Sequence, residues 1–338
     1  MKKYFLKILP LFLGLALFFT ACIRKVNPDP GNIPDQNVAE APVGDIVTTV
    51  ANIINRPDGS IEYNFNERQA VFIVPANNPN FSSILSIAKE GLAGTKPVKL
   101  VLGGYNVLNN LIWPSAAETK IYLDWYKLKI VRPEPARLVR VSAIDTNVFN
   151  NVDFQNWIIF RSCTKVIPDY ATAKKIFDYC AQQQCTFGPT QVQPCIPFQY
   201  VIDGCFARAH KMRSIIEGKY RYCSEKVFSY GDLNVKANKW GGCCVSWWYH
   251  VAPLVRVKTS KGTFCYVIDP GMFNSPVLLS TWLSAQENTN CSSGANVNRY
   301  SIQPSSAYTP EYTTDNNYSL TNNDLVYYNS LGPTCPNQ

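Results

Sequence analysis

The twelve cysteines of this 338-residue chain are distributed very unevenly. One is Cys22, and no other occurs before Cys163. The remaining eleven are Cys163, Cys180, Cys185, Cys195, Cys205, Cys223, Cys243, Cys244, Cys265, Cys291 and Cys335. In an exported chain most of them should form disulfides, because the compartment is oxidising. Eleven is an odd number, so at least one thiol stays unpaired and is a candidate nucleophile.

The N-terminus has the features of an export signal. Lys2 and Lys3 precede an apolar run over residues 4–19, and small residues then lead directly to Cys22. This pattern predicts a lipoprotein signal peptide over residues 1–21, with the lipid carried by Cys22. The alternative is an ordinary signal peptide that happens to contain a cysteine. We therefore expect an exported, membrane-anchored lipoprotein of a bacterial cell envelope, at the outer membrane, that processing can release.

Composition divides the rest of the chain into three parts. Residues 22–44 are polar and rich in proline, which predicts a tether. Residues 45–155 contain no cysteine or histidine and predict a smaller α+β domain, and residues 160–338 form the cysteine-rich domain. A hydrophobic content of 46% is typical of globular proteins. The net charge of +8 is spread along the chain without a basic stripe, which argues against a nucleic-acid partner.

The first domain predicts a mixture of strands and one helix. Alternating apolar residues indicate strands at 61–65, 70–74, 98–102 and 127–131, and a helical period covers 81–91. No cluster of polar residues suited to chemistry occurs in this domain. We therefore expect it to fold and to space or cover another part of the molecule.

Two helices are predicted in the cysteine-rich domain, over 170–181 and 204–217, with Asp169 and Asp203 as their N-caps. The second helix places Cys205 in its first turn, where unpaired N–H groups and the helix dipole lower the pKa of a thiol. Cys205 is therefore a candidate nucleophile. The alternative is a packed core thiol or one half of a disulfide.

Only two histidines are present to act as a base, His210 and His250. His210 is five residues beyond Cys205 and points about 140° away on the same helix, so we interpret it as structural. His250 begins a predicted hairpin whose second strand ends at Asp269. Counting outward from a centre between residues 259 and 260 places His250 opposite Asp269. The alternative is that the two residues merely end neighbouring strands.

These candidates lie in segments that resemble the protein-glutaminase family. The segments are VIPD (166–169), PCIPF (194–198), DGCFARAHKM (203–212), CCVSWWYHVA (243–252) and IDP (268–270). The resemblance implies a transglutaminase-like (papain-like), disulfide-rich α+β catalytic domain. It also implies that the smaller preceding domain is a pro-region that blocks the active site until it is cleaved. Carried over by motif, Cys205 is the nucleophile, His250 the base and Asp269 the acid that orients it.

The activity expected from this resemblance is hydrolytic deamidation of glutamine side chains in proteins or peptides. It releases ammonia through a thioester and needs no cofactor or metal. A transglutaminase or a papain-like protease would use the same three residues, so these remain alternatives. A non-catalytic binding lipoprotein and a zinc site formed by the clustered cysteines are two further alternatives. The sequence leaves the oligomeric state open.

Overall fold

The computed structural model describes residues 46–103, 107–129, 137–140, 165–187, 190–310, 314–333 and 335, with the backbone alone for 125–129 and 137–140. All of these residues belong to one compact unit, Asn37–Gln338. The predicted signal peptide, the tether and the lipidation site Cys22 lie outside the described residues.

The N-terminal part is a five-stranded antiparallel sheet with two helices. Its strands are β1 (Ile46–Asn55), β2 (Ile61–Phe65), β3 (Phe72–Val74), β4 (Pro97–Leu102) and β5 (Leu108–Ile112), in the order β3-β2-β1-β4-β5. Its helices are α1 (Phe81–Gly94) and α2 (Ala116–Lys129). Helix α1 buries Ile84, Ala88 and Gly91, which recur at intervals of four and three residues and therefore form one face.

One predicted strand in this part is wrong. Residues 127–129 of the strand expected at 127–131 belong to helix α2. The helix starts at a capping box, in which Glu118 N–H donates to Ser115 Oγ and Ser115 N–H donates to Glu118 Oε2, at 3.2 and 2.8 Å. Once this start is fixed, the good helix formers that follow carry the helix to Lys129 despite the alternation at its end.

The C-terminal part is built on a six-stranded antiparallel sheet. Its strands are β6 (Arg137–Arg140), β7 (Glu225–Lys236), β8 (Cys244–Thr259), β9 (Gly262–Val267), β10 (Val277–Leu278) and β11 (Asn296–Pro304), in the order β10-β9-β8-β7-β11-β6. Its helices are α3 (Tyr170–Gln182), α4 (Cys205–Ser214) followed by a π-helical turn (Ile215–Lys219), α5 (Leu279–Ser284) and α6 (Ser319–Ser330). The fold is therefore α+β, as expected. Strand β6 comes from the region assigned to the first domain, yet it pairs with β11.

Helix α4 lies in the middle of this part and is buried on all sides. Every residue from 205 to 212 is buried, including the polar ones, because α4 packs against both β8 and α6. The expected N-cap at Asp203 is wrong: the cap is Gly204, which has a left-handed φ of 80°. The expected N-cap at Asp169 is confirmed, since its Oδ1 accepts a hydrogen bond from Thr172 N–H at 2.7 Å.

The hairpin of β8 and β9 forms with a different register from the one expected. Leu254 pairs with Val267 and Thr259 with Gly262, so the turn is centred between residues 260 and 261. The direct opposition of His250 and Asp269 is therefore wrong by two residues. A shift of two residues keeps side chains on the same face of the sheet.

Three disulfides join cysteines of the C-terminal part: Cys185–Cys195, Cys243–Cys335 and Cys244–Cys291. Cys223 is disulfide-bonded as well. The expectation that most cysteines pair is confirmed, and such bonds are consistent with export. Cys180 and Cys265 are exceptions, because they are free and packed in the core as small apolar side chains. No helix in the described ranges is long and apolar enough to span a membrane.

Gly204 supplies a test of how the start of α4 is built. A Cβ at this position would lie 2.5 Å from Cδ2 of Tyr328, at a φ that other residues rarely adopt. We expect Gly204→Ala to lower the free energy of unfolding by about 2 kcal/mol or more. Gly218→Ala is the matched control, because no heavy atom lies within 4 Å of a Cβ there. Denaturant unfolding of both variants measures this, and a Gly204→Ala protein as stable as the parent would contradict it.

Candidate active site

Cys205 is the first residue of α4, and its sulfur faces β8. The backbone of Val251, the residue after His250, acts to lower the pKa of this thiol. Helix α4 therefore presents the thiol to the strand that carries the histidine. The backbone N–H of Cys205 lies in the first turn, where it has no partner within the helix and is available to a ligand oxygen.

His250 and Asp269 are hydrogen-bonded to each other. His250 Nε2 lies 2.8 Å from Asp269 Oδ2, and Trp282 Nε1 donates to the same oxygen at 2.9 Å. An ionised carboxylate only accepts hydrogen bonds, so the proton of a neutral His250 ring is fixed on Nε2. The other nitrogen, Nδ1, is left free to accept a proton.

Two tryptophans stack on the His250 ring. The ring of Trp247 stacks on it with a centroid separation of 4.4 Å, and that of Trp282 stacks at 5.3 Å. The interplanar angles of 18° and 24° leave the imidazole little freedom to rotate.

A glutamine from the N-terminal part completes the site. The carboxamide of Gln69 accepts a hydrogen bond from Cys205 N–H through Oε1 at 3.0 Å. Its Nε2 lies 3.2 Å from Nδ1 of His250. The side-chain amide therefore bridges the candidate nucleophile and the candidate base. Gln69 is 0% exposed, Cys205 1%, His250 3% and Asp269 5%.

The main chain around Gln69 pairs with β8 as an additional short strand. Its carbonyl accepts from Trp248 N–H at 3.2 Å, and Ala70 forms an antiparallel bridge with Trp247. Asp203 Oδ1 accepts the N–H of Gln69 at 3.0 Å, and Asp203 Oδ2 accepts from Arg68 Nη1 at 3.3 Å. This is the strand-addition mode of recognising a peptide, in which backbone bonds give affinity and a pocket takes one side chain.

Burial controls the charges in the closed site. Burial raises the pKa of the Cys205 thiol far above its usual value, although the Arg208 guanidinium acts in the opposite direction. Burial also acts to raise the pKa of Asp269, but hydrogen bonds from His250 and Trp282 outweigh it and hold that pKa below its ordinary value. The lowered thiol pKa expected from the helix start is therefore wrong for this closed form. Asp269 stays ionised and keeps its hydrogen bond with His250.

The structure thus brings together Cys205, His250 and Asp269, which the sequence singled out, and places His210 elsewhere. The His210 ring is fixed by Lys226 Nζ at 2.7 Å on Nδ1 and lies 3.0 Å from the carbonyl of Asp315 on Nε2. Within the described ranges, no group of three or more His, Cys, Asp or Glu residues is arranged to hold a metal.

Sequence reasoning missed Gln69, Asp203 as a clamp on its backbone, and Trp282. Gln69 comes from the first domain, which was expected only to space or cover another part of the molecule. No local pattern marks this residue: it is 136 residues from Cys205 and 181 from His250. A candidate nucleophile, a candidate oxyanion donor and a candidate base with a fixed tautomer around a carboxamide form an arrangement suited to acyl transfer from a side-chain amide.

Comparison with known proteins agrees with this geometry. The sequence profile of a family described as Glutaminase matches residues 173–286. A crystal structure of pro-protein-glutaminase covers 88% of this chain and 95% of its own, at 28% identity and a TM-score of 0.65. An NMR structure of protein-glutaminase from Chryseobacterium proteolyticum covers 51% of this chain and 93% of its own, at 39% identity and a TM-score of 0.46.

A crystal structure of protein-glutaminase is similar to the same part, at 39% identity over 52% of this chain and 94% of its own, with a TM-score of 0.47. No curated protein sequence matches the chain. The family profile covers α4, the His250 strand and Asp269, and the pro-form also covers the N-terminal part. The chain belongs to the protein-glutaminase family, whose members are enzymes that deamidate proteins.

Proposed function

We propose that this enzyme hydrolyses glutamine side-chain amides with Cys205 as nucleophile, His250 as base and then acid, and Asp269 as the residue that orients His250. The observation that carries the proposal is the Gln69 carboxamide, hydrogen-bonded to Cys205 N–H and lying against His250 Nδ1. A substrate glutamine in the same place would have its carbonyl oxygen at an oxyanion donor. Its amide nitrogen would lie beside the group that protonates it.

The chemistry then follows in two steps. The Cys205 sulfur attacks the side-chain carbonyl carbon while its proton passes to Nδ1 of His250. The oxygen gains negative charge and is stabilised by Cys205 N–H. His250 returns the proton to the nitrogen, the C–N bond breaks and ammonia leaves, so a thioester remains. Water activated by Nδ1 hydrolyses the thioester to glutamate and restores the thiol.

The kind of amide in the site supports deamidation over peptide-bond cleavage. The amide that meets Cys205 and His250 is the end of a side chain, while the backbone of the same residue is engaged by Asp203 and Trp248. A protease would instead place a backbone carbonyl over its nucleophile. The acceptor in the second step is not fixed by this geometry, so a transglutaminase reaction is an outcome of the test below.

We also propose that the N-terminal part is an inhibitory pro-region. It covers Cys205 and His250 through Gln69, and Arg68 adds an ion pair with Asp203 and a hydrogen bond to the Tyr328 hydroxyl. An external glutamine cannot occupy the site while Gln69 fills it. The similarity to a structure of a pro-form over both parts of the chain supports this assignment.

The triad proposal is tested on the protease-treated chain with a glutamine-containing peptide as substrate. Ammonia release should disappear in Cys205→Ala, and Asp269→Asn should lower the rate by about 10²-fold or more because His250 loses its fixed tautomer. Cys265→Ala is the matched control, since Cys265 is another buried free thiol, and it should keep full activity. Mass spectrometry should find glutamate at the substrate position.

Three results would contradict the proposal. Ammonia release that survives Cys205→Ala would remove the nucleophile from its assigned role. Crosslinks to lysine amines in place of glutamate would make the enzyme a transglutaminase, and new peptide termini would make it a protease.

For the N-terminus, we propose export with a lipid on Cys22, on the sequence pattern alone. Cys22→Ala should shift the protein from the membrane fraction of the cell envelope to the soluble fraction, because the acyl chains supply the membrane affinity. A Cys22→Ala protein that still sediments with membranes would show that the lipid is not its anchor. Ser82→Ala, in helix α1 and away from the predicted signal, should leave the distribution unchanged.

A further inference from the structure

We propose that Gln69, the residue that fills the site, is also a substrate: the intact chain deamidates its own Gln69 to glutamate. The proposal rests on the function assigned to Cys205, His250 and Asp269 above. It adds a covalent modification at a named residue of the pro-region, made once by each chain on itself.

The Gln69 carboxamide is oriented for the reaction. Oε1 of Gln69 faces the N–H of Cys205, which can only donate, and Nε2 faces Nδ1 of His250. Turning the amide over would oppose two donors at Cys205, so the hydrogen bonds themselves fix which atom is oxygen. The oxygen therefore sits at the oxyanion donor and the nitrogen at the proton carrier, which is the orientation that loss of ammonia requires.

Hydrogen bonds from Asp203 and Trp248 fix the backbone around Gln69. Its N–H is bound by Asp203 and its carbonyl by Trp248 N–H, while Trp248 Nε1 also donates to the carbonyl of Arg68. Bonds before and after the side chain fix its position along β8. Holding a reacting group in place in this way makes the reaction effectively unimolecular.

The site contacts the polar end of the Gln69 side chain. A residue that only excluded substrate could fill the space with an apolar group. Gln69 instead has both of its amide atoms within hydrogen-bond distance of the groups that perform the proposed chemistry. Buried Gln184 shows a different use of the same residue type, since it donates to Gln199 and Thr186.

The reaction balances with water as the only co-reactant. Asp269 keeps the proton of a neutral His250 on Nε2, so Nδ1 takes the thiol proton as Sγ bonds to Cδ of Gln69. The C–N bond then breaks and the nitrogen leaves as ammonia with that proton. Water hydrolyses the thioester, leaving a glutamate side chain at position 69 and a free Cys205. Because burial raises the pKa of this thiol, the step is slow, but a single turnover converts each chain.

The test compares the full-length chain with its Cys205→Ala variant, both kept intact during incubation. Chymotrypsin releases the peptide of residues 66–72, in which tandem mass spectrometry distinguishes position 69 from Asn66. We expect the mass gain of one amide-to-acid conversion at position 69, rising with time, only when Cys205 is present. Asn66 in the same peptide reports spontaneous deamidation, and Gln184 should keep its amide.

A parallel assay separates this inference from the proposed function. The same preparation, after protease treatment, is given an external glutamine peptide. If it deamidates that peptide while Gln69 keeps its amide in the intact chain, self-deamidation is overturned and the enzymatic function stands. If neither glutamine is converted, both proposals fail. Equal conversion of Gln69 in wild type, Cys205→Ala and Cys205→Ser would also overturn self-deamidation, because the loss of the amide would then be spontaneous.

Discussion

The edge of β8 before Leu254 joins the N-terminal part of the chain to the candidate active site. Strand β7 covers one side of β8 along most of its length, but β9 pairs with the other side only from Leu254 onward. On that side the stretch before Leu254 is not paired with β9 except for the bond from Ile268 N–H to the carbonyl of Pro253, and a sheet edge of this kind binds extended chains readily. In the closed molecule Gln69 and Ala70 occupy it. The edge that Gln69 and Ala70 occupy belongs to the strand that carries His250.

This arrangement explains how one site can be complete and closed at the same time. Asp269, Trp247 and Trp282, which orient His250, all belong to the C-terminal part, and Gln69 adds a contact to Nδ1. The N-terminal part changes how far substrate and water can reach Cys205. Burial raises the pKa of Cys205 in the closed form. Removing the cover would restore water and lower that pKa, so the thiolate becomes more available at neutral pH. Closure therefore acts on reactivity as well as on substrate entry.

The predictable parts of this protein are those decided by nearby residues. Cys205 begins a helix because a turn at Gly204 precedes a run of helix formers, and Asp269 follows β9 because Pro270 interrupts further pairing. The sequence also brought His250 and Asp269 to one face, since the register error of two residues preserved the face. Asp203 was assigned the wrong role, because its carboxylate binds Gln69 and Arg68 from a distant part of the chain instead of capping α4.

What the sequence could not show depends on contacts between distant segments. Gln69 follows an ordinary turn and has no neighbours that suggest chemistry; only docking on β8 gives it a role. Trp282 is one of seven tryptophans, and nothing in its surroundings predicts that its Nε1 meets Asp269. Helix α2 is a different case. Its capping box at Ser115 and Glu118 is visible in the sequence, but the alternation of apolar residues further on favoured a strand in the prediction.

In the proposed function, one carboxamide site serves both the chain's own Gln69 and external glutamines. The most direct measurement is the rate of ammonia release from a short glutamine peptide by the same preparation before and after the N-terminal part is digested. We expect a negligible rate from the intact chain and a large, Cys205-dependent rate after digestion. Equal rates before and after digestion would contradict it, because Gln69 could not then be filling the site at which substrate reacts.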